Sequence, residues 1–233
     1  MLGNENRETY FDIALATSLV LFGFDGEELL VLIKKKQTPP FEGAWFLPSA
    51  YVLPNEGLEQ RVKMIMREYI GDQPTYLEQL KAFAKVFRNP EGRVINVSFY
   101  ALIKLDKEKV KLINEENELQ WVRYNDLPDL AYDHEEIITY AKERLKRRVK
   151  RRPVGFHLLP KEFTIAQLQT LYETTLDREL DKRNFRKKIF NSDLIIDTDK
   201  TTNPTNSRKI SKLYRFDEDK YEKMSAKGYD FLF

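Results

Sequence analysis

The spacing of apolar and polar positions changes several times along the chain, and each change predicts an element. The stretch IALATSLVLFGFDGEELLVLIKKK holds two apolar runs parted by Phe24, Asp25 and Gly26, which predicts two strands joined at an Asp-Gly turn. A second pair of strands is expected around WFLPSAYVL. From Gly57 to Ile70 the period turns helical, because Leu58, Val62, Ile65, Met66 and Tyr69 recur at steps of three and four. LKAFAKVF, RVINVSFYALIKL and ELQWVRY predict further strands, and EEIITYAKERLKRR predicts an amphipathic helix. Strands around a central helix, closed by a terminal helix, predict a mixed α+β sandwich over residues 1–150.

After RRPVGFHLLPKE the pattern changes character. In FTIAQLQTLYETTL, Thr164 is followed three residues later by Gln167, a capping box, and Phe163 with Leu168 fits a hydrophobic staple. Ile165, Leu168, Leu171 and Tyr172 mark the buried face of that helix. A second entry signal follows in LDKRNFRKKIFNSDL, with Asp181 as N-cap and Leu180 against Phe185 as staple. Phe185 and Ile189 then lie about 40° apart on the helical wheel and face inward. The remaining surface shows Lys182, Arg183, Asn184, Arg186, Lys187 and Lys188, side chains suited to a major groove, where Arg and Asn read base edges and Lys neutralises phosphates. DLIID and KLYRFD, separated by the polar TDKTTNPTNSRKIS, predict a hairpin with a long tip carrying Arg208, Lys209 and Lys212. Helices followed by such a hairpin predict a winged helix-turn-helix over residues 151–233.

Composition adjusts this picture in three ways. The 233 residues are 42% hydrophobic, enough for a core. The net charge of +2 hides an uneven split: residues 1–150 carry 22 Lys and Arg against 24 Asp and Glu, residues 151–233 carry 17 against 13. KERLKRRVKRR, from Lys142 to Arg152, sets eight cations against one acid just before Pro153, which predicts a helix end and a basic linker at the boundary. With no cysteine, disulfides and thiol chemistry are excluded. His134 and His157 are too few for a histidine-rich metal cluster and are expected to be structural. No apolar run reaches the roughly 18 residues of a membrane span, and a cytoplasmic location is expected.

The stretch LPSAYVLPNEGLEQRVKMIMREYIGD resembles the Nudix box, whose pattern is Gly, five residues, Glu, seven residues, Arg-Glu-aliphatic-x-Glu-Glu-x-Gly. Glu56, Glu68 and Gly71 match it, while Ala50, Met64, Ile65 and Tyr69 stand where Gly, Arg, Glu and Glu would be. Diphosphate hydrolysis in that family needs hard divalent cations held by carboxylates on one helix face. A face presenting Ile65, Glu68 and Tyr69 is a poor cation site, so no catalytic residue, metal or cofactor is expected, and the hydrolase reading stands as the minor alternative. Trp45, Tyr51, Arg88, Asn96 and Phe99 are candidates for binding a small molecule in such a scaffold.

A degenerate box joined to FTIAQLQTLYETTLDRELDKRNFRKKIF and KLYRF resembles the Nudix-related transcriptional regulators of the NrtR group. The resemblance implies a homodimer that holds palindromic double-stranded operator DNA through its winged helices and releases it on binding an effector in the Nudix-like domain. It further suggests the arabinose-responsive (AraR-like) branch, with L-arabinose as effector of a sugar-utilisation repressor. The alternative is a regulator of NAD metabolism responding to ADP-ribose, whose diphosphate would call on Arg67, Arg88 or Arg93.

Overall fold

The structure, a computed structural model, describes residues 12–72, 76–106, 110, 113, 118–202, 210–227, 229 and 231. Strands β1 (Ala14–Phe24) and β2 (Leu29–Lys35) form the expected hairpin. At its turn the Asp25 carboxylate accepts from the backbone N–H groups of Glu27 and Glu28, and Gly26 takes a φ of 101° that an L side chain would strain. The short strands β3 (Trp45–Phe46) and β4 (Ser49–Tyr51) flank Leu47, which is fully buried. Helix α1 (Leu58–Ile70) follows and buries Val62 and Ile65.

Strands β5 (Tyr76–Phe83), β6 (Val94–Lys104) and β7 (Leu119–Arg123) complete a seven-stranded mixed sheet ordered β3-β2-β1-β6-β5, with β4 on β1 and β7 on β2. The predicted strand over LKAFAKVF sits earlier, because residues 84–93 turn back around Pro90 and Gly92 before β6 begins. The central strands are buried in unbroken runs, as a sheet covered on both faces requires: Leu19 to Phe22 and Tyr100 to Leu102 are 0% exposed. Each Leu, Val and Phe among them contributes about 1.5–3 kcal/mol on burial.

Helix α2 (His134–Arg151) runs three residues beyond the predicted stretch, so most of the expected linker is helical and Pro153 opens a short 3-10 turn. Helix α3 (Ile165–Leu176) begins with both halves of the capping box formed: Thr164 Oγ1 accepts from Gln167 N, and Gln167 Oε1 accepts from Thr164 N. Helix α4 (Lys182–Ser192) is capped by the Asp181 carboxylate, which accepts from Asn184 N at 2.8 Å. β8 (Ile195–Thr201) pairs antiparallel with β9 (Lys212–Phe216), and Phe163 adds a bridge to Tyr214, giving the wing a third edge. Helix α5 (Glu218–Ser225) follows. The molecule is a Nudix-like α/β domain with a mixed sheet followed by a winged helix domain.

Packing divides the described residues into two compact units, one holding those within 12–22, 31–101 and 110–141, the other those within 23–30, 102–106 and 142–231. Helix α2 therefore contributes its first eight residues to one unit and the rest to the other. Within the second, the Lys142 side chain is only 2% exposed; its ammonium donates to Thr174 O at 2.9 Å and to Asp177 Oδ1 at 3.1 Å. Asp177 ends α3 in the left-handed conformation, φ 51° and ψ 47°. Burial pulls the Lys142 pKa down while Asp177 opposes it, so the pair is held by mutual satisfaction rather than by exposure.

Candidate functional site

The first unit contains a cavity of about 220 Å³ between β1, the β3–β4 segment, the turn after β5 and the start of α2. Its lining includes Ser18, Ser49, Tyr51, Arg88, Asn96 and His134. A relay of hydrogen bonds orders one wall: Ser49 Oγ donates to Ser18 Oγ at 2.9 Å, Ser18 Oγ to Asn96 Oδ1 at 3.1 Å, and Asn96 Nδ2 to Ser98 Oγ at 2.7 Å. Asn96 and Ser98 are 0% exposed, and burying them is tolerable because these bonds replace lost water. Near the opening, Asn89 Nδ2 donates to the Tyr51 hydroxyl at 3.1 Å.

Arg88 is fixed by a two-point bond to Asp133, Nε to Oδ2 at 2.9 Å and Nη2 to Oδ1 at 2.5 Å, with both side chains almost fully buried. Beside it His134 Nδ1 accepts from Leu47 N at 3.0 Å. Burial pushes the His134 pKa down to about 3, with Arg88 adding to the effect and Asp133 opposing it. The imidazole is therefore neutral at physiological pH and carries its proton on Nε2, where it can donate. Lys36 also lines the cavity, its ammonium donating to Thr38 O at 2.9 Å and Pro39 O at 3.2 Å.

Of the five candidates for small-molecule binding, Tyr51, Arg88 and Asn96 line this cavity. Trp45 and Phe99 do not. Phe99 is 3% exposed in the sheet core, and Trp45 packs under the Lys35 ammonium, 5.8 Å from its ring centroid. Among the diphosphate candidates only Arg88 is a lining residue: Arg67 pairs with Asp72 at 2.6 Å, and Arg93 donates to the Ala84 and Lys85 carbonyls. Reasoning from the sequence missed Ser18, Ser49, Asn89, Lys36 and His134, which come from segments distant in the chain.

The residues of the degenerate box do not assemble a cation site. Glu56 is paired with Arg61 at 2.7 Å and accepts from Leu53 N, while Glu68 is largely exposed with Lys34 at 3.8 Å. Ile65 is buried in the helix–sheet packing and Met64 is exposed. Lys34 also donates to the Tyr69 hydroxyl at 3.3 Å. Among the described residues no group of three or more His, Cys, Asp or Glu could hold a metal ion.

In the second unit, α4 shows the face that its periodicity predicts. Phe185 and Ile189 are buried, the former edge-on to Tyr172 with ring centroids 5.8 Å apart. Lys182, Arg183, Asn184, Arg186, Lys187 and Lys188 are all exposed. The turn between α3 and α4 is held by Glu173, which accepts from Leu180 N at 2.9 Å and from Gln169 Nε2 at 2.9 Å. On the wing, Lys212 is exposed and paired with Asp197 at 2.7 Å, while Arg208 and Lys209 lie outside the described residues. The wing therefore presents less unpaired charge at Lys212 than the sequence suggests.

Comparison with known proteins bears on both units. Residues 155–216 match the model of the NrtR DNA-binding winged helix domain. The whole chain aligns with an ADPR-responsive transcriptional repressor NtrR of Acinetobacter baylyi, 26% identical and covering 90% of that protein. The crystal structure of Shewanella oneidensis NrtR complexed with a 27mer DNA superposes with a TM-score of 0.78 at 28% identity, covering 94% of this chain and 97% of that one. An ADP-ribose pyrophosphatase of Methanocaldococcus jannaschii is 27% identical over 55% of this chain and 75% of its own length. The chain thus has the two-part make-up of NrtR-type transcriptional regulators, a Nudix-like domain followed by a DNA-binding winged helix domain. None of these comparisons supports the arabinose-responsive branch expected from the sequence.

Proposed function

We propose that the protein is a transcriptional repressor that holds operator DNA through α4 and the wing and is released by ADP-ribose bound in the Nudix-like domain. Residues 1–150 then serve as the effector domain and residues 151–233 as the DNA-binding domain, acting as a homodimer on a palindromic site. The observation that carries the reading is the exposed, six-residue polar and cationic face of α4 on a segment that matches the NrtR winged helix domain. ADP-ribose replaces arabinose as effector because the relative that aligns over the whole chain is ADPR-responsive. The cavity is compatible in chemistry: Lys36 supplies positive charge for a diphosphate, the Arg88 charge being offset by Asp133, while Ser49, Asn89 and neutral His134 offer hydrogen bonds to hydroxyls beside the acid Glu91.

The same domain is not an enzyme in this reading, since Glu56 and Glu68 are engaged by Arg61 and Lys34 rather than gathered around a cation. Magnesium-dependent turnover of ADP-ribose that disappears in Glu68→Gln would reverse that part. The effector is tested by fluorescence anisotropy on duplexes selected from a random library, with ADP-ribose or L-arabinose added. Release by ADP-ribose is expected, and operator must weaken ADP-ribose binding by the factor with which ADP-ribose weakens operator binding. Release by arabinose alone would restore the sugar reading.

A further inference from the structure

Where α2 ends, Arg144, Arg147, Arg148, Lys150, Arg151 and Arg152 line a concavity of about 450 Å³, and no carboxylate is among its lining residues. Arg147, Lys150, Arg151 and Arg152 are exposed. Arg144 and Arg148 are engaged within the chain, Glu143 pairs with Lys146 at 2.9 Å, and Asp177 is shared by Lys142 and Lys146.

A helix C-terminus favours cations by about 0.3–1 kcal/mol each, and i,i+4 pairing with acids explains many basic helix faces. Neither accounts for Lys150, Arg151 and Arg152. Arg152 stands beyond the last helical turn on extended backbone, φ −137° and ψ 147°, and Lys150, Arg151 and Arg152 have no acidic partner among the described residues. Like charges at this density repel one another in the free protein, a cost relieved when an outside polyanion supplies the opposite charge. The concavity also lacks the aromatic rings and apolar walls of a small-molecule pocket or a single-strand stacking platform.

We propose that this concavity binds the sugar-phosphate backbone of double-helical DNA, adding affinity without sequence preference to the contacts of α4. The inference rests on the DNA-binding reading above, and its occupant follows from charge and from place: the cluster belongs to the unit that carries the winged helix.

The test uses the full chain and two double variants that remove equal charge, R151Q/R152Q in the concavity and K63Q/R123Q at exposed positions of α1 and β7 in the other unit. Each is titrated on a random-sequence 30-base-pair duplex, and on the library-selected duplex, across a range of salt concentrations. R151Q/R152Q is expected to weaken both duplexes by the same factor and to lower the slope of log K against log salt by about 2, with K63Q/R123Q leaving the slope at its wild-type value. Unchanged slopes in R151Q/R152Q, with circular dichroism and wild-type binding intact, overturn the inference alone. A loss confined to the selected duplex, or to single-stranded RNA tested alongside, also overturns it. Wild-type protein that binds neither duplex defeats the DNA-binding reading itself and this inference with it.

Discussion

The cavity of the Nudix-like domain and the exposed face of α4 both rely on cations, but they hold them in opposite ways. Arg88 is buried and locked to Asp133, Lys36 is tied to loop carbonyls, and His134 is kept neutral. On α4 the cations stand in solvent on a helix whose fixed parts are its cap and its two buried apolar residues. A pocket for one small molecule gains from groups fixed before the ligand arrives, because ordering them then costs nothing further. A surface for a polyanion gains instead from charge whose counterions leave on contact, which needs exposure more than rigidity. In the proposed function the same residue types would serve preorganisation in one unit and long-range attraction in the other.

That contrast can be broken by substitutions whose readouts should not mix. The largest effect is expected for Arg88→Ala, which leaves the Asp133 carboxylate buried without its partner; denaturant unfolding should show a loss of about 3–5 kcal/mol. Protonation comes next. The folded state keeps His134 neutral down to about pH 3, whereas the unfolded chain takes up a proton near its ordinary value of 6.5. Between those values the unfolded state binds more protons, so stability present above pH 6.5 is lost as pH falls. From pH 6.5 to 4.5 this group should contribute a decline of about 2–3 kcal/mol, and comparison of wild type with His134→Gln should isolate it.

Arg183→Ala should leave unfolding unchanged and cost about 1–3 kcal/mol of binding to a selected duplex, if it reads a base edge. Loss of stability in that variant would erase the contrast drawn here. The smallest effect is expected for Asp181→Ala, which removes the N-cap of α4 and should cost about 1 kcal/mol of stability, measured by thermal unfolding.

Local signals in the sequence were sufficient for α3, α4 and the hairpin of the winged helix domain, though not for α5 or the Phe163–Tyr214 bridge. Capping boxes, staples and turn residues act over three or four positions, and Thr164, Gln167, Asp181, Phe185 and Ile189 each do in space what their spacing implies. The cavity was legible only in part, since its wall is closed by pairs far apart in the chain, such as Ser18 with Asn96 and Leu47 with His134. No short-range pattern announces such pairs. The run Lys34-Lys35-Lys36 illustrates the limit: one lysine reaches Tyr69 and Glu68, the next covers Trp45, and the third enters the cavity lining. Alternation along a strand separates faces, but the partner on each face comes from a different element.

The buried Lys142 bears on where the DNA-binding half can be cut free. A fragment beginning at Pro153, the residue at which composition suggests a boundary, would leave Asp177 and the Thr174 carbonyl without the ammonium that satisfies them. It would also strip away Leu145 and Val149, both buried. The inheritable piece therefore starts upstream of Lys142, and the last turns of α2 travel with the winged helix as its own buttress.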